Sequence, residues 1–523
     1  MNEYRVDLLI VGGGTGGCAV ALSSTAMGLS VIMTEETDWI GGQLTSQAVP
    51  PDENFAIETH GSTGRYREFR TLVREYYKKN YPLNQAALSD PFLNPGQGRV
   101  SKLCFEPRVG VAVLEKMLKN KLEIMLCTKA IKAEVHGDVV SNVTVKNLQT
   151  EELSCIQAKY VIDATELGDL LPLAQVEHVS GAESIDKTNE PHAVSGPDQI
   201  DNVQSFTWCL AAGYDHGGNH IIDKPETYAF WRDFCPKMSP PWSGRQLDWT
   251  YSQPWTLQPK QGGIGLKQYP LTSPDVYDLW HYRRLIASEH YDQPTDEVTL
   301  INWPQNDYFN GNIIDKPEAE VQKHLNAAKE LSLSLLYWMQ TEAPRPDGGT
   351  GYPGLYTRPD ITGNENGLAK YPYFRESRRI CALFTVTEFD VSKELQLNDK
   401  LPDFPDSVGI GSYAIDLHPS SNGHHYVDIR TVPFQIPLRC LIPVRIKNLL
   451  PGCKNIGTTH ITNGCYRLHP VEWNIGESTG LLVAFCLQHN YSPRQVAENS
   501  KIFEDLKQLL VKQNVLIKWE NIS

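Results

Sequence analysis

The sequence has no pair of cysteines at Cys-x-x-Cys spacing, and its 11 cysteines are an odd number. This speaks against a disulfide framework and against a regular zinc or iron–sulfur site, so we expect mostly free thiols and no metal. No apolar run reaches the roughly 20 residues that a membrane span requires. Because the chain also starts without a basic segment or an apolar signal core, the expectation is a cytoplasmic protein with no membrane partner.

Positive charge is scarce as well: the chain has 48 Lys and Arg residues but 62 Asp and Glu residues, and its net charge is −14. Nucleic-acid binding needs a concentrated basic surface, so we expect a small-molecule substrate and no nucleic-acid partner. The length of 523 residues and the hydrophobic share of 41% predict two or three interleaved domains. The composition is compatible with a homo-oligomer as well as with a monomer.

Residues 7–36, DLLIVGGGTGGCAVALSSTAMGLSVIMTEE, show the pattern of a βαβ unit. The apolar run Asp7–Val11 predicts a buried strand, Thr15–Met27 a helix, and Leu29–Thr34 a second buried strand. Gly28 fits the stop of the helix. This order predicts the first crossover of a Rossmann-like domain.

Three glycines between the first strand and the helix stand at G-x-G-x-x-G spacing. Gly12 allows the tight turn, Gly14 lets a pyrophosphate approach the N–H groups of the helix start, and Gly17 lets helix and strand pack closely. Glu35 follows near the expected spacing of roughly 20 residues and would accept hydrogen bonds from ribose hydroxyls. Together these residues predict a dinucleotide site.

Two later segments favour FAD over a nicotinamide cofactor. Gly41 and Gly42 in DWIGGQLTSQ would lie along a second phosphate or the flavin. Residues 159–169, KYVIDATELGD, form a strand whose end, from Thr165 onward, would close over the dinucleotide.

A third segment, residues 455–486, points the same way. Asn474, Gly476 and Glu477 are predicted to open a long apolar helix, whose N-terminal dipole would stabilise negative charge on a reduced flavin. A nicotinamide-only dehydrogenase would not need this return of the chain, so we predict FAD and keep NAD as the alternative. The predicted cofactor-binding residues are Gly12, Gly14, Thr15, Gly17, Glu35, Glu36, Gly41, Gly42, Gln43, Thr165, Gly168, Asp169, Asn474, Gly476 and Glu477.

Composition shifts predict an α/β fold: a Rossmann-like FAD-binding domain, with a parallel sheet and a β-meander, joined to an irregular α+β substrate or cap domain. The cap is expected to contain a helix near Pro317–Thr341. The predicted FAD-binding domain is discontinuous and comprises residues 1–60, 100–184 and 441–490. The predicted cap comprises residues 61–99 and 185–440, and residues 491–523 form a C-terminal helical segment, with one helix over 494–513.

The chain resembles FAD-dependent oxidoreductases that share the nucleotide domain of the glutathione-reductase and fumarate-reductase type, and within them a family called FAD-dependent oxidoreductase. The resemblance covers nearly the whole chain and implies the fold and the cofactor, whereas the reactions of the family are diverse. It rests on GGGTGG, WIGGQLTSQ, PGQGRVSKLCFEPRVG at 95–110, VIDATELGDLLPLA at 161–174, INWPQNDY at 301–308, FRESRRI at 374–380, GSYAIDLH at 411–418 and the 455–486 segment.

Four residues are predicted to carry catalysis: His469, His460, Tyr413 and Arg378. Flavin N5 accepts a hydride, so the protein has to orient the donor and take a proton. The two histidines precede the helix predicted over 475–488, and either would act as a general base; the alternative is a structural hydrogen bond.

Tyr413 lies in GSYAIDLH, where strand alternation would place it on the face opposite to Asp416 and His418. Arg378 belongs to FRESRRI, whose arginines would hold a carboxylate or an oxygen-rich substrate. The alternative for this motif is an internal ion-pair network that ties the cap to the nucleotide domain.

These features predict an FAD-dependent dehydrogenase or oxidase that takes a hydride from a small polar C–OH or C–N substrate. One alternative is a flavin reductase or monooxygenase supplied by NAD(P)H. An alternative of another class is a flavin-containing tRNA-modification or binding protein, against which the acidic balance weighs.

Overall fold

The computed structural model describes residues 2–396 and 403–519. Short strands dominate the cap, and long helices flank the first sheet. The strands are β1 (Asn2–Val11), β2 (Val31–Thr34), β3 (Glu123–Met125), β4 (Thr128–His136), β5 (Val139–Asn147), β6 (Leu153–Asp163), β7 (His178–Val179), β8 (Phe206–Thr207), β9 (Leu210–Tyr214), β10 (Thr250–Ser252), β11 (Pro259–Gly263), β12 (Val276–Asp278), β13 (Arg284–Ile286), β14 (Val298–Ile301), β15 (Asp307–Tyr308), β16 (Leu355–Thr357), β17 (Tyr373–Phe374), β18 (Arg379–Ile380), β19 (Ser407–Gly411), β20 (Ile415–Leu417), β21 (Val427–Ile429), β22 (Phe434–Pro437) and β23 (Leu449–Pro451). The α-helices are α1 (Thr15–Ala26), α2 (Gly64–Asn80), α3 (Gln85–Ser89), α4 (Pro107–Leu118), α5 (Leu170–Leu173), α6 (Ile185–Thr188), α7 (Tyr228–Asp233), α8 (Glu318–Thr341), α9 (Pro359–Thr362), α10 (Glu388–Val391), α11 (His460–Tyr466), α12 (His469–His489), α13 (Pro493–Glu498) and α14 (Ser500–Lys512).

A seven-stranded, mostly parallel sheet organises the nucleotide-binding part. Its strand order is β3-β2-β1-β6-β5-β4, with β23 also paired to β6. β1 is parallel to both β2 and β6, whereas β4, β5 and β6 form an antiparallel meander. The predicted α/β class and the meander are therefore confirmed. All seven strands fall within residues 1–60, 100–184 and 441–490.

Helices α1 and α12 pack tightly against each other beside this sheet. A Cβ on Gly476 would lie 2.1 Å from the backbone oxygen of Gly16, a contact that only glycine permits. α12 starts at His469, with Pro470 in its first turn, which is earlier than predicted. Proline suits a first helical turn, and it sets the start here.

The cap has its own apolar core, separate from the core around α1 and α12. Its four-stranded antiparallel sheet has the order β13-β14-β9-β16, and α8 packs on it. The helix predicted near Pro317–Thr341 is thereby confirmed. By contrast, the single helix predicted over 494–513 is wrong: Asn499 separates α13 from α14 and caps the latter with its side chain.

All 11 cysteines are free thiols, as expected. Within the described ranges, every helix is either too short or too polar to cross a membrane.

Candidate active site

The junction between β1 and α1 is a turn that requires glycine. Gly12 has a φ of +101°, and a Cβ on it would lie 2.3 Å from the backbone oxygen of Ala164. A Cβ on Gly17 would lie 2.1 Å from the backbone oxygen of Gly12, so Gly17 brings the helix against the strand. The turn thus has the geometry that its spacing predicts.

A cavity beside this turn, which we name the glycine-turn cavity, collects about half of the predicted cofactor residues. These are Gly12, Gly14, Glu35, Glu36, Gly42, Thr165 and Asp169. Its polar lining also includes residues that sequence reasoning missed, namely Ser46, Gln47, Lys129, Glu166 and Tyr371. Ser46, Gln47 and Glu166 belong to the quoted motifs, whereas nothing in the sequence marks the other two.

Glu35 is fixed at the end of β2 by hydrogen bonds to both of its carboxylate oxygens. Oε2 accepts the Gly13 N–H at 3.0 Å, and Oε1 accepts the N–H and the hydroxyl of Thr37 at 2.9 and 2.8 Å. Burial raises the pKa of Glu35 to about 7. The carboxyl is therefore preorganised beside the cavity, and it keeps lone pairs free for a hydroxyl donor.

Four other predicted residues shape the loops around the cavity without lining it. The Thr15 hydroxyl donates to the Gly41 carbonyl at 2.9 Å, and Gly41 itself has a φ of +110°. Gly168 packs against Arg378, where a Cβ would lie 3.0 Å from the backbone oxygen. Gln43 donates to Glu472 at 2.7 Å and to the Arg467 carbonyl at 3.0 Å.

The three predicted residues of α12 lie inside the helix rather than at its start, and none lines the glycine-turn cavity. Asn474 accepts the Ile410 N–H at 3.0 Å. Glu477 forms an ion pair with Arg65 at 2.6 Å. With Gly476 pressed against α1, the structure gives all three a packing or hydrogen-bonding role.

A buried lysine that sequence reasoning missed lies next to the glycine turn. Lys454 is fully buried and forms an ion pair with Glu166, and its Nζ lies 3.8 Å from Glu472. Glu166 also approaches the turn, because a Cβ on Gly14 would lie 2.9 Å from its Oε1. Lys454 thus neutralises acidic groups at the place expected for a pyrophosphate.

His469 begins α12 and is fully buried. Its Nδ1 accepts the Asp52 N–H at 3.1 Å, while its Nε2 has no partner among the described residues. Burial, with Arg283 and Arg467 nearby, lowers the pKa of His469 to about 3. The ring is therefore neutral and carries its proton on Nε2, which makes it a hydrogen-bond donor rather than the free base that the sequence suggested.

His460 lies within an ion-pair network. Its Nδ1 lies 2.9 Å from Glu376, which also pairs with Arg379 at 2.8 Å. Burial alone would raise the pKa of Glu376, but His460 and Arg379 lower it to about 2. Arg379 reaches Glu183 at 2.8 Å as well. His460 therefore makes a structural hydrogen bond in this network, which is the alternative to a general base given for it from the sequence.

Arg378 also belongs to an internal network. It pairs with Asp169 at 3.0 Å and with Asp315 at 2.9 Å, and it donates to the Leu167 carbonyl. Arg378 does not line the glycine-turn cavity itself, but it pairs with Asp169, which does. In FRESRRI, therefore, Arg378 and Arg379 tie elements together, and Arg375 faces a different cavity.

That second cavity, which we name the aromatic cavity, has a volume of about 360 Å³. Most of its lining comes from the cap, but Asp52 and Arg467 come from the nucleotide-binding part. Its aromatic side chains are Tyr251, Trp255, Tyr277, Tyr282, Trp303, Tyr373, Tyr413 and Tyr426.

Tyr413, Asp416 and His418 all line the aromatic cavity, so the prediction that they occupy opposite faces is wrong. Alternation holds only within a strand, and β20 spans no more than Ile415–Leu417. Tyr413 precedes the strand, and its backbone is free to turn the ring toward the same side.

His418 is held between two carboxylates. Its Nδ1 lies 2.6 Å from Asp307, and its Nε2 lies 3.5 Å from Asp416. Burial raises the pKa of Asp307, but Arg375 and His418 outweigh this effect and the net shift is downward. Asp307 therefore stays ionised and orients the His418 ring, an arrangement typical of acid–base histidines.

The aromatic cavity concentrates buried polar atoms that have no partner among the described residues. Buried polar groups in proteins are normally hydrogen-bonded, so such a cluster indicates a site for a ligand's acceptors. The atoms are Arg283 Nη1, Asn302 Nδ2, Trp303 Nε1, Arg375 Nε, Tyr426 Oη and Arg467 Nε.

The segment of residues 47–52 contributes to both cavities, because Gln47 lines the glycine-turn cavity and Asp52 the aromatic cavity. Both polar atoms of the Gln47 amide are buried without a partner among the described residues. His469 Nε2, on the ring that accepts the Asp52 N–H, is unpaired in the same way.

A glycine turn, an acidic strand end and a cap with its own cavity define a dinucleotide-binding protein of two parts. The family described as FAD dependent oxidoreductase matches residues 7–510, and the chain belongs to that family. The resemblance seen in the sequence is thus confirmed, and the cofactor is FAD.

Solved structures similar to this chain include L-proline dehydrogenase from P. horikoshii, at 18% identity and a TM-score of 0.19, over 34% of this chain and 24% of that one. OxyS anhydrotetracycline hydroxylase from Streptomyces rimosus has 11% identity and a TM-score of 0.32, over 98% and 68%. A geranylgeranyl bacteriochlorophyll reductase-like protein from Thermoplasma acidophilum has 10% identity and a TM-score of 0.32, over 98% and 85%. This chain thus spans about a quarter of the first of these proteins. No curated protein matches it.

The residues present fit FAD. The cofactor needs close backbone approach at its pyrophosphate, and a Cβ on Gly42 would lie 2.7 Å from Glu166 and 2.8 Å from Gly14. It also needs polar partners at the flavin ring, and the unpaired atoms of Gln47 and His469 have that character.

Proposed function

We propose that the protein oxidises a small polar substrate at a C–OH or C–N bond and passes the electrons to FAD. The observation that carries this proposal is the aromatic cavity, which combines unpaired donors with an oriented histidine. Its lining residue Arg467 accepts a hydrogen bond from Gln43, a predicted cofactor residue, at 3.0 Å. Oxygen or another carrier would reoxidise the flavin.

Each part of FAD has candidate residues. Glu35 would accept from the ribose hydroxyls, and the glycine turn would present its N–H groups to the pyrophosphate. Gln47 would hydrogen-bond the flavin ring. His469, at the first turn of α12, would donate from Nε2 beside the positive end of the helix dipole.

FAD, when bound, accepts a hydride from the substrate carbon. The substrate hydroxyl or amine has to lose a proton at the same time, and His418 is the group placed to take it. Asp307 fixes the ring through Nδ1, so Nε2 faces the cavity and Asp416. Tyr413 keeps its proton, because burial raises its pKa well above the usual value, and it would donate to the substrate oxygen.

The test is anaerobic reduction of the purified holoprotein by a panel of sugars, hydroxy acids, amino acids and NAD(P)H. We expect one C–OH or C–N donor class to bleach the flavin. His418→Asn is expected to slow the bleaching by about 10²–10⁴-fold, the usual contribution of a general base. His136→Asn, at the exposed end of β4, is the control and should leave the rate unchanged. Bleaching by NADPH alone, or no bleaching by any donor, would overturn the proposal.

A further inference from the structure

Arg283 is a buried cation without a carboxylate partner. Its side chain is 8% exposed and lines the aromatic cavity immediately before β13. Its Nε donates to the Asn302 carbonyl at 3.3 Å, and its guanidinium lies 4.8 Å from the Tyr282 ring centroid. Its Nη1 has no partner among the described residues. A guanidinium stays charged at any accessible pH, so Nη1 is open to an anion from outside the chain.

The other two arginines of the cavity are already neutralised. Arg375 pairs with Asp307 at 2.9 Å, and Arg467 pairs with Asp416 at 3.1 Å. Arg283 shares the cavity with Asp52, yet no ion pair joins it to any carboxylate of the described ranges. The interior of the cavity therefore has one guanidinium in excess of its ion pairs.

Three unpaired donors lie together around Arg283. Asn302 accepts from Arg283 through its backbone and from Arg375 Nη2 through its side chain, at 3.3 Å in each case. This contact brings Arg283 Nη1, Asn302 Nδ2 and Arg375 Nε into one cluster of donors. A planar carboxylate can accept from two such donors at once.

We propose, resting on the proposed function, that the substrate is a hydroxylated monocarboxylate and that Arg283 binds its carboxylate. Arg283 is a buried guanidinium without an ion pair in the described part of the chain, and one carboxylate is enough to complete it, whereas Lys260 in the same lining is only half-buried. A phosphate dianion would face the nearby carboxylates of Asp52 and Asp416. Of the three remaining donors, Trp303 Nε1 and Tyr426 Oη suit hydroxyl oxygens, and the aromatic rings suit the C–H faces of a sugar-like chain.

The test is ligand binding to the holoprotein, followed by the change in bound-flavin absorbance and in tryptophan fluorescence. The probes are gluconate, its neutral counterpart sorbitol, and glucose 6-phosphate. We expect gluconate to bind most tightly of the three. Arg283→Gln should weaken gluconate by about 10- to 100-fold, as loss of a charged bidentate contact does, and should leave sorbitol unaffected. Arg283→Lys should recover part of the loss.

Arg232→Gln is the matched control, because Arg232 is an exposed residue of α7 paired with Asp233. Unchanged FAD content in every variant establishes folding. Equal binding of gluconate and sorbitol, tighter binding of glucose 6-phosphate, or unchanged gluconate binding by Arg283→Gln would each overturn the carboxylate assignment. Arg283-dependent gluconate binding without flavin bleaching by any donor would instead contradict the proposed oxidation and leave the anion site standing.

Discussion

Lys454 carries its charge in the interior, where it balances two acidic residues beside the glycine turn. Its side chain is completely buried, with a relative exposure of 0%. Lys454→Met would leave Glu166 and Glu472 without their cation, and removing one partner of a buried ion pair costs about 3–5 kcal/mol. We expect a lower melting temperature and less FAD per protein, measured by the flavin-to-protein absorbance ratio.

The control for this variant is Lys507→Met, which removes an exposed ion pair to Glu504 on α14. Exposed pairs contribute about 0–1 kcal/mol, so this variant should behave like the wild-type protein. Full FAD content and an unchanged melting temperature in Lys454→Met would refute the role assigned to Lys454.

Individual site residues were predictable to unequal degrees. The glycine turn and Glu35 follow from local spacing, because a turn is specified by the residues that make it. Lys454 and Arg283 did not follow from spacing, since each acquires its role only through residues distant in sequence. His469 was predicted as a site residue from its place before a helix, but its neutral state depends on burial and on two arginines that no local pattern reveals.

At the crossing of α1 and α12, replacing a helical glycine by alanine is expected to lower the stability of the protein rather than raise it. Replacing glycine by alanine inside a helix normally stabilises it by roughly 1 kcal/mol. Gly476→Ala would instead place a Cβ 2.1 Å from the Gly16 backbone oxygen and force the helices apart. We expect a loss of about 1–3 kcal/mol, the usual cost of an overpacked site. We also expect a lower FAD content, because Gly16 lies in the first turn of α1, whose start is bordered by Gly14 and Gly42.

Thermal unfolding of the variant, followed by circular dichroism, measures this effect. Gln488→Ala, at the exposed C-terminal end of α12, is the control for an alanine away from the crossing, where only an exposed hydrogen bond to the Met27 carbonyl is lost. A melting temperature of Gly476→Ala at or above that of the wild-type protein would contradict the close crossing.

Periodicity located the long elements but not all their ends. α8 and the meander β4–β6 were predictable because each carries its pattern over many residues. The helix predicted over 475–488 starts too late because its apolar pattern does not show that Pro470 suits a first helical turn and lets α12 begin at His469. The prediction that Tyr413 lies on the face opposite to Asp416 and His418 is wrong because it assumed a longer strand than β20, which spans three residues.

Composition alone does not predict the two separate apolar cores or the aromatic cavity. The sequence indicates where apolar residues concentrate, and the seven strands of the first sheet lie in three such stretches of the chain. Which cap residues face the aromatic cavity depends on packing among many short strands, such as β12, β13, β17 and β20. Their lengths of two or three residues leave no periodic signal.

Buried carboxyl groups distributed through the fold give a pH dependence of stability. Burial raises the pKa of Glu35, Asp163 and Glu190 to about 7 in each case, so the folded protein favours their neutral forms. As the pH rises from the ordinary carboxyl range toward 7, the unfolded chain releases these protons first, and stability is lost. Asp307 and Glu376, whose pKa values are lowered, lose their contribution only in acid. We therefore expect a higher melting temperature at about pH 6 than at about pH 8.

Glu190 allows this prediction to be isolated. Its Oε1 accepts from the Glu388 N–H and the Thr459 hydroxyl, each at 2.7 Å, while its Oε2 has no partner among the described residues. Glu190→Gln keeps the accepting oxygen and removes the charge that the neighbouring Glu183 also opposes. A shift of this size corresponds to up to about 3 kcal/mol, of which more than half is already lost at pH 6, so the variant should gain stability at both pH values and gain more at pH 8. A melting temperature that rises from pH 6 to pH 8 in the wild-type protein, or an identical pH slope in Glu190→Gln, would show that these carboxyls are ionised in the folded state.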